Sequence, residues 1–343
     1  MTGPGLPPPR LQAPEIQIRP RWPRARSWAR TVAVYLLLAS LLFLALRDAQ
    51  ISDIWRTLRK IQVWQLITLM GMNIVIYLLI TLRWGLIVSA ENNRIPFFQL
   101  LAIRVAVFGI SYFTLGPQVG GEPLQVLFLR RRYGMTITRA TSTVIMDKLL
   151  EFLANFFLLG TGLTAILEAG ILSEKVNNPF LMLGGLMVLL LWPPFHIILL
   201  YRGIHPVSAI LRKVMNNKPV RFISASERLA GTFCRRHPVL LVSAILVSIL
   251  AAAGMVLEFF CITWFLQINL NVWQTIAAWT AGWLAFLVPV PGGLGALEAS
   301  EVFALGAFGI PAASAISVTL LIRARDLFIG ALGIIIAGRG VSR

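Results

Sequence analysis

Charged side chains are too few here to coat a soluble protein. Asp, Glu, Lys and Arg make up 13% of the 343 residues, against roughly 25% in an ordinary soluble domain. Hydrophobic residues make up 57%, which excludes a fold that buries its apolar surface and faces water all round. Cysteine is nearly missing. Cys234 stands among arginines and Cys261 in an apolar run, so a disulfide framework is excluded and both thiols read as small buried hydrophobes. Of the 3 histidines, His196 lies in an apolar stretch, and His205 and His237 lie at loop edges. No H-E-x-x-H, C-x-x-C or spaced carboxylate cluster occurs, so no metal is expected. The chain also lacks a P-loop and a G-x-S-x-G elbow. The first omission argues against ATP use and the second against an elbow serine hydrolase. No cofactor is expected.

What is present is a succession of apolar runs long enough to cross a ~30 Å hydrocarbon core. The formal charge of +17 would suggest nucleic acid in a soluble protein, but its placement argues for topology instead. Six arginines precede Thr31, four lie between Arg130 and Arg139, and eight Lys and Arg lie between Arg202 and His237. Basic-poor stretches separate them, as the bias of Lys and Arg toward cytoplasmic loops predicts. The expected location is the cytoplasmic (inner) membrane, multi-pass, with both termini and the loop around Lys213 inside and Glu174 and Asn269 outside. Residues 1–30 read as a basic, Pro-rich cytoplasmic tail that touches anionic headgroups. Residues 31–338 read as a single transmembrane domain and 339–343 as a second tail. The first run, Thr31–Leu46, is expected to stay as an uncleaved helix.

Segment by segment, the loop Ala49–Gln62 reads as an amphipathic helix on the outer surface, the one loop that departs from the charge bias because it carries Arg56, Arg59 and Lys60. Trp64–Ser89 reads as a span, with Trp64 and Trp84 as interfacial rings. Arg83 reads as a topological charge near the inner interface. Phe98–Phe113 runs into Thr114–Pro123, where two prolines and three glycines in ten residues will not sustain a helix in lipid. Leu124–Leu129 is too short to span, so the economical reading is a re-entrant hairpin from the cytoplasmic side. Ala140–Leu163 crosses outward, and Phe180–Leu200 returns with Pro193 and Pro194 bending it. Tyr201–His237 forms a partly helical basic connection, and Val239–Leu266 crosses outward. Trp273–Val288 meets a second breaker at Pro289–Gly295. Leu297–Phe308 completes an opposed hairpin, and Ala315–Ala337 crosses inward. The fold class is therefore an all-α polytopic membrane protein with two opposed re-entrant broken-helix hairpins.

An internal repeat supports that layout. At a constant offset of 175, Gly134 pairs with Gly309, Ala140 with Ala315 and Ser142 with Ser317. The same offset pairs Lys148 with Arg323 and Glu151 with Asp326. The derived topology sets the two blocks, within repeat-like halves 64–200 and 239–338, in opposite orientations. That is the plan of inverted-repeat transporters, which place a site near the midplane between broken helices. The hinge positions would be Gly116, Pro117, Gly120 and Gly121 in the first breaker and Pro291, Gly292, Gly293 and Gly295 in the second.

Gly116-Pro-Gln-Val-Gly-Gly-Glu-Pro123 is followed by Arg130-Arg-Arg-Tyr-Gly134, Asp147-Lys-Leu-Leu-Glu151 and Pro291-Gly-Gly-Leu-Gly-Ala-Leu-Glu298. Through these motifs the chain resembles the transmembrane domain of the lysylphosphatidylglycerol synthase (flippase-like) family, over roughly Thr31 to Gly338. The resemblance implies lipid handling. Family members commonly carry Gly-Arg before a Gly-Glu-x-x-Arg segment; Pro117-Gln118 and Gln125 stand there here, which implies an altered headgroup contact. Some members carry a soluble domain that aminoacylates phosphatidylglycerol. A chain ending at Arg343 leaves no room for it, so lipid handling without synthesis is expected. The family it resembles includes proteins linked to polyprenyl-phosphate sugars and hopanoids, so the resemblance leaves the lipid open.

Charges at membrane depth usually line a protein interior or a wet cavity. Lys148 and Glu151 share a helical face, as do Arg323 and Asp326, while Arg325 points elsewhere on its helix. These four either surround a central cavity that meets a lipid phosphate or form ion pairs locking the repeats together. Glu122 and Glu298 flank the breakers, where a half-helix start favours a carboxylate cap or a binding group. Arg104 and Glu258 complete the set of candidate substrate-binding residues. Three functions remain open: translocation of an anionic phospholipid or isoprenoid-type lipid; a non-transporting scaffold of a lipid-synthesising machine; and a membrane enzyme acting on a lipid phosphate. Membrane lipids, with an anionic, polyprenyl-phosphate or hopanoid-type lipid among them, are the expected partners. Nucleic acid is not expected as a partner, and a homo-oligomer is left open.

Overall fold

Leucine, isoleucine, valine and alanine dominate the long runs, and in the computed structural model these become helices. The model describes residues 51–91, 95–114, 121–168, 179–214, 218–288 and 290–341, and no strand occurs among them. The expected tail, the first helix Thr31–Leu46 and Glu174 lie outside the described residues. In chain order the helices are α1 (Ile51–Leu58), α2 (Val63–Ser89), α3 (Phe97–Phe113), α4 (Glu122–Tyr133), α5 (Ile137–Glu168) and α6 (Pro179–Tyr201). They continue as α7 (Pro206–Val214), α8 (Lys218–Arg236), α9 (Pro238–Phe265), α10 (Val272–Phe286), α11 (Ala296–Gly306) and α12 (Ala312–Val341).

Two helices, α2 and α9, are long and apolar enough to cross a membrane. At 1.5 Å per residue, the 28 residues of α9 span about 42 Å. The outer face of α9 leaves Val239, Val242, Leu246, Ile249, Leu250 and Leu257 exposed, a row that water would not solvate and lipid does. The other long helices, α5 and α12, are interrupted by Asp147, Lys148 and Glu151 and by Arg323, Arg325 and Asp326.

The two spanning helices, α2 and α9, pack as an antiparallel pair. Trp64 at the start of α2 meets Phe265 at the end of α9, edge to face with centroids 5.4 Å apart. Further along, Ile76 packs on Gly254, and Ile87 shares a core with Leu241 and Ala244. The helices before and after each breaker also run antiparallel. Gly121 lies against Val107 and Ser111, while Tyr133 at the far end of α4 donates to Gln99 near the start of α3. In the second case Gly282 of α10 lies against Leu297 and Glu301 of α11.

The first hairpin packs on the last long helix, α3 on α12, and the second packs on α5 through α10. Small residues make both crossings close. A methyl on Gly333 would lie 2.2 Å from the Val105 carbonyl oxygen, and one on Gly162 would lie 2.8 Å from Thr280 Oγ1. The sequence pairs at offset 175 share local structure. Gly134 and Gly309 both take positive φ, 64° and 78°, just before α5 and α12. Ala140, Ala315, Ser142 and Ser317 are all buried.

On α2, two positions depart from the sequence reading. Trp84 is not an interfacial ring: it is fully buried, with the Arg104 guanidinium 5.2 Å from its ring centroid. Arg83 is not an interfacial charge: it is 2% exposed and ion-paired in the interior. Cys234 is fully buried in the core and Cys261 half-buried.

Candidate functional site

Desolvated charges need partners, and α5 gathers the first set. Asp147, 1% exposed, lies between two guanidiniums: Arg83 Nε donates to Oδ1 and Arg104 Nη2 to Oδ2, each at 2.7 Å. One turn on, Glu151 accepts from Arg83 Nη2 at 3.4 Å and from Lys148 Nζ at 3.2 Å. Lys148 also reaches Glu122 at the first position of α4, 3.4 Å away. The chain of charges therefore runs from α2 and α3 through α5 to the start of the second hairpin arm.

A second set forms where α9 meets α12. Arg325 lies 2.7 Å from Glu258 Oε2 and 2.8 Å from Asp326 Oδ1, and Asn73 of α2 donates to Glu258 at 3.3 Å. Here the expected pairing changes. Arg323 does not pair with Asp326, and Arg325 does not point away. Arg323 instead clamps the second breaker: it pairs with Glu298 and donates to the carbonyls of Gly292 and Gly293 at 2.8 and 3.2 Å. The breaker offers a guanidinium a carboxylate and two free carbonyls at once, which a single aspartate on the same helix cannot match. Gly292, Gly293 and Gly295 take φ of 60°, 62° and 78°, a backbone that L side chains resist and that turns those carbonyls toward Arg323. Glu298 accepts from the Gly295 N–H at 2.9 Å, so it caps α11 as well.

Between the two sets lies a cavity of about 220 Å³. Its walls include Arg104, Glu122, Lys148, Glu151, Glu258 and Asp326 from the expected residues, together with Arg83, Arg325 and Glu301. Arg323 and Glu298 are not among its lining residues. Of the expected hinge positions, Gly121 lines the cavity, Pro291, Gly292, Gly293 and Gly295 form the second breaker, and Gly116, Pro117 and Gly120 lie outside the described residues. Among the described residues no cluster of His, Cys, Asp or Glu could hold a metal.

Sequence reasoning missed Arg83, Arg325 and Glu301. One signal was available for the first: the offset of 175 residues that relates Lys148 to Arg323 also separates Arg83 from Glu258. Glu301 carried none, since a lone acid in a short apolar segment resembles its neighbour Glu298.

Away from the cavity, α7 and α8 are tied by one acid. Glu227 accepts from the N–H groups of Val207 and Ser208 at 3.0 and 2.8 Å, from the Ser208 hydroxyl, and lies 3.5 Å from His196 Nε2. Burial works against its charge, but the hydrogen bonds from His196, Ser208 and the two backbone amides outweigh it and bring its pKa down to about 2.

Comparison with curated proteins and with solved structures finds no match. A family model described as the lysylphosphatidylglycerol synthase TM region matches residues 30–333, and the match is to that membrane region and not to a catalytic domain. A helical chain with lipid-facing apolar helices, buried charges around a cavity and this match is a membrane protein that handles lipid: it belongs to the family of the lysylphosphatidylglycerol synthase transmembrane region.

Proposed function

We propose that this protein translocates an anionic phospholipid or isoprenoid-type lipid between the leaflets of the cytoplasmic membrane. The observation that carries this reading is the cavity walled by both halves of the chain, with four cations and five acids around about 220 Å³. That volume is below the roughly 300–1,000 Å³ of drug-sized pockets. It suits a headgroup whose tails stay in lipid. Charges buried at this depth are costly unless they serve a pathway or lock a fold, and here the lining cations are held by lining or adjacent acids. An arriving phosphate would compete with Glu122 and Glu151 for Lys148, whose side chain is 21% exposed. Gly121 and Glu122 open the start of α4 onto the same space, where the helix dipole favours an anion.

In this reading the two halves are inverted repeats. The hairpins α3–α4 and α10–α11 enter from opposite sides and each packs on the other half's long helix, which lets one half rock against the other around a fixed site. Both termini are cytoplasmic.

Reconstitution into liposomes with a labelled phospholipid tests the proposal. Leaflet exchange should rise with protein, and Lys148→Gln should slow it at least tenfold without loss of folded protein. Absence of exchange for anionic and polyprenyl-phosphate lipids alike would favour a scaffold, and a chemically altered lipid would favour an enzyme.

A further inference from the structure

Glu301 has no role in the charge sets described above. It lies on α11, is fully buried, lines the cavity, and neither carboxyl oxygen has a hydrogen-bond partner among the described residues. The other lining acids are engaged: Glu122 and Glu151 with Lys148, and Glu258 and Asp326 with Arg325. The four lining cations are thereby taken, Arg83 and Arg104 being held by Asp147. On the α10 side the carboxyl rests against bare backbone, since a methyl on Gly282 would lie 2.4 Å from Oε1. Folding leaves such a group without a donor only at the full cost of its desolvation. A ligand that supplies the donor recovers that cost.

Other atoms around the same cavity share this condition. Asn73 Oδ1, Arg104 Nε, Ser111 Oγ and Trp283 Nε1 are buried without a hydrogen-bond partner among the described residues, and their residues line the walls from α2, α3 and α10. Arg104 and Trp283 offer donors, and Asn73 and Glu301 offer acceptors. The matching ligand has both kinds of group, as a phosphodiester bearing a hydroxyl or an ammonium does.

We propose that Glu301 is the specificity-determining residue of the cavity, accepting a hydrogen bond from a hydroxyl or ammonium group of the lipid headgroup. This rests on the lipid-translocation reading. It adds a selection rule: headgroups that donate hydrogen bonds are taken, and donor-free headgroups are not. A buried acceptor left unpaired by the wrong ligand is an effective discriminator, because the penalty falls on that ligand alone.

Native mass spectrometry of the full chain in detergent, with phosphatidylethanolamine, phosphatidylglycerol and phosphatidylcholine of identical acyl chains in competition, tests it. Phosphatidylethanolamine, phosphatidylglycerol or both should be retained about tenfold over phosphatidylcholine, which has no donor. Retention of the glycerol lipid alone assigns the group as hydroxyl, and retention of the amine lipid alone assigns it as ammonium. Glu301→Leu should erase the preference, and Glu301→Gln should weaken it. Gly282→Ala displaces the carboxyl by contact and should also reduce it, which keeps the test alive if Glu301→Leu does not fold. Equal retention of phosphatidylcholine, retention of none of the three, or a preference that survives Glu301→Leu overturns the proposal. Retention is read without transport, so this proposal and the translocation reading can fail separately.

Discussion

Asp147 shows what burial demands of a single carboxylate. It receives two guanidiniums at 2.7 Å on its two oxygens, and each arginine has little else. Arg83 keeps a longer contact to Glu151, and Arg104 keeps the face of Trp84. Asp147→Asn preserves shape but leaves Arg104 without an acid, and breaking one side of a buried pair costs about 3–5 kcal/mol. The expected result is a large loss of monodisperse protein in detergent and a lower melting temperature. Lys148 is the contrast. It is partly exposed to the cavity and shares two acids, so Lys148→Gln should cost under about 1 kcal/mol while slowing lipid exchange. Equal damage from both substitutions would mean that Lys148 is structural. The Lys148–Glu151 pair was legible from the i, i+3 spacing alone. The partner of Arg323 was not, because helical spacing says which residues share a face but nothing of the carbonyls a neighbouring breaker presents.

At the scale of elements, apolar run length and Pro/Gly punctuation carried most of the information. The expected spans Trp64–Ser89, Phe180–Leu200 and Val239–Leu266 correspond to α2, α6 and α9 within one or two residues. The second breaker separates α10 from α11 where its glycines predicted. The connection Tyr201–His237 was legible only as basic and partly helical. Its division into α7 and α8 depends on Glu227 reaching back across 19 residues to cap α7, and long-range caps leave no local pattern. That cap has a pH signature. With its pKa brought down to about 2 from about 4.3 in an unfolded chain, Glu227 contributes stability above pH ~4.3. The contribution fades as pH falls through about 2. Glu227→Gln should therefore lower the melting temperature at pH 7, at a cost of about 2 kcal/mol, and flatten the acid limb between those values. An acid limb identical to that of the wild type would show that other carboxylates dominate it.

For the whole molecule, the ends of the helices carry the topology. Lys60, after α1, donates to Gln267, after α9, at 2.9 Å, so these two loops share one end. The opposite end joins Glu91, after α2, to Arg139 at the start of α5, 3.6 Å apart. Arg235 and Arg236 close α8 just before α9 begins, and so belong to the end where α2 finishes. Tyr133 and the run Arg130–Arg132 close α4 beside the start of α3. One end therefore carries most of the arginines, while the other carries Arg56, Arg59 and Lys60 beside α1, and the bias of basic residues toward the cytoplasm predicts the richer end inside. Single cysteines replace Arg236 and Asn269, both exposed, in a chain carrying Cys234→Ser and Cys261→Ser. An impermeant maleimide added to intact spheroplasts should label position 269, and should label position 236 only after lysis. Cys234 is fully buried in the core, so its replacement is the step that needs a folding control, and serine conserves its size. Labelling of position 236 from outside, with 269 protected, would invert the molecule and place the arginine-rich end, and the α3–α4 hairpin that starts there, on the external face.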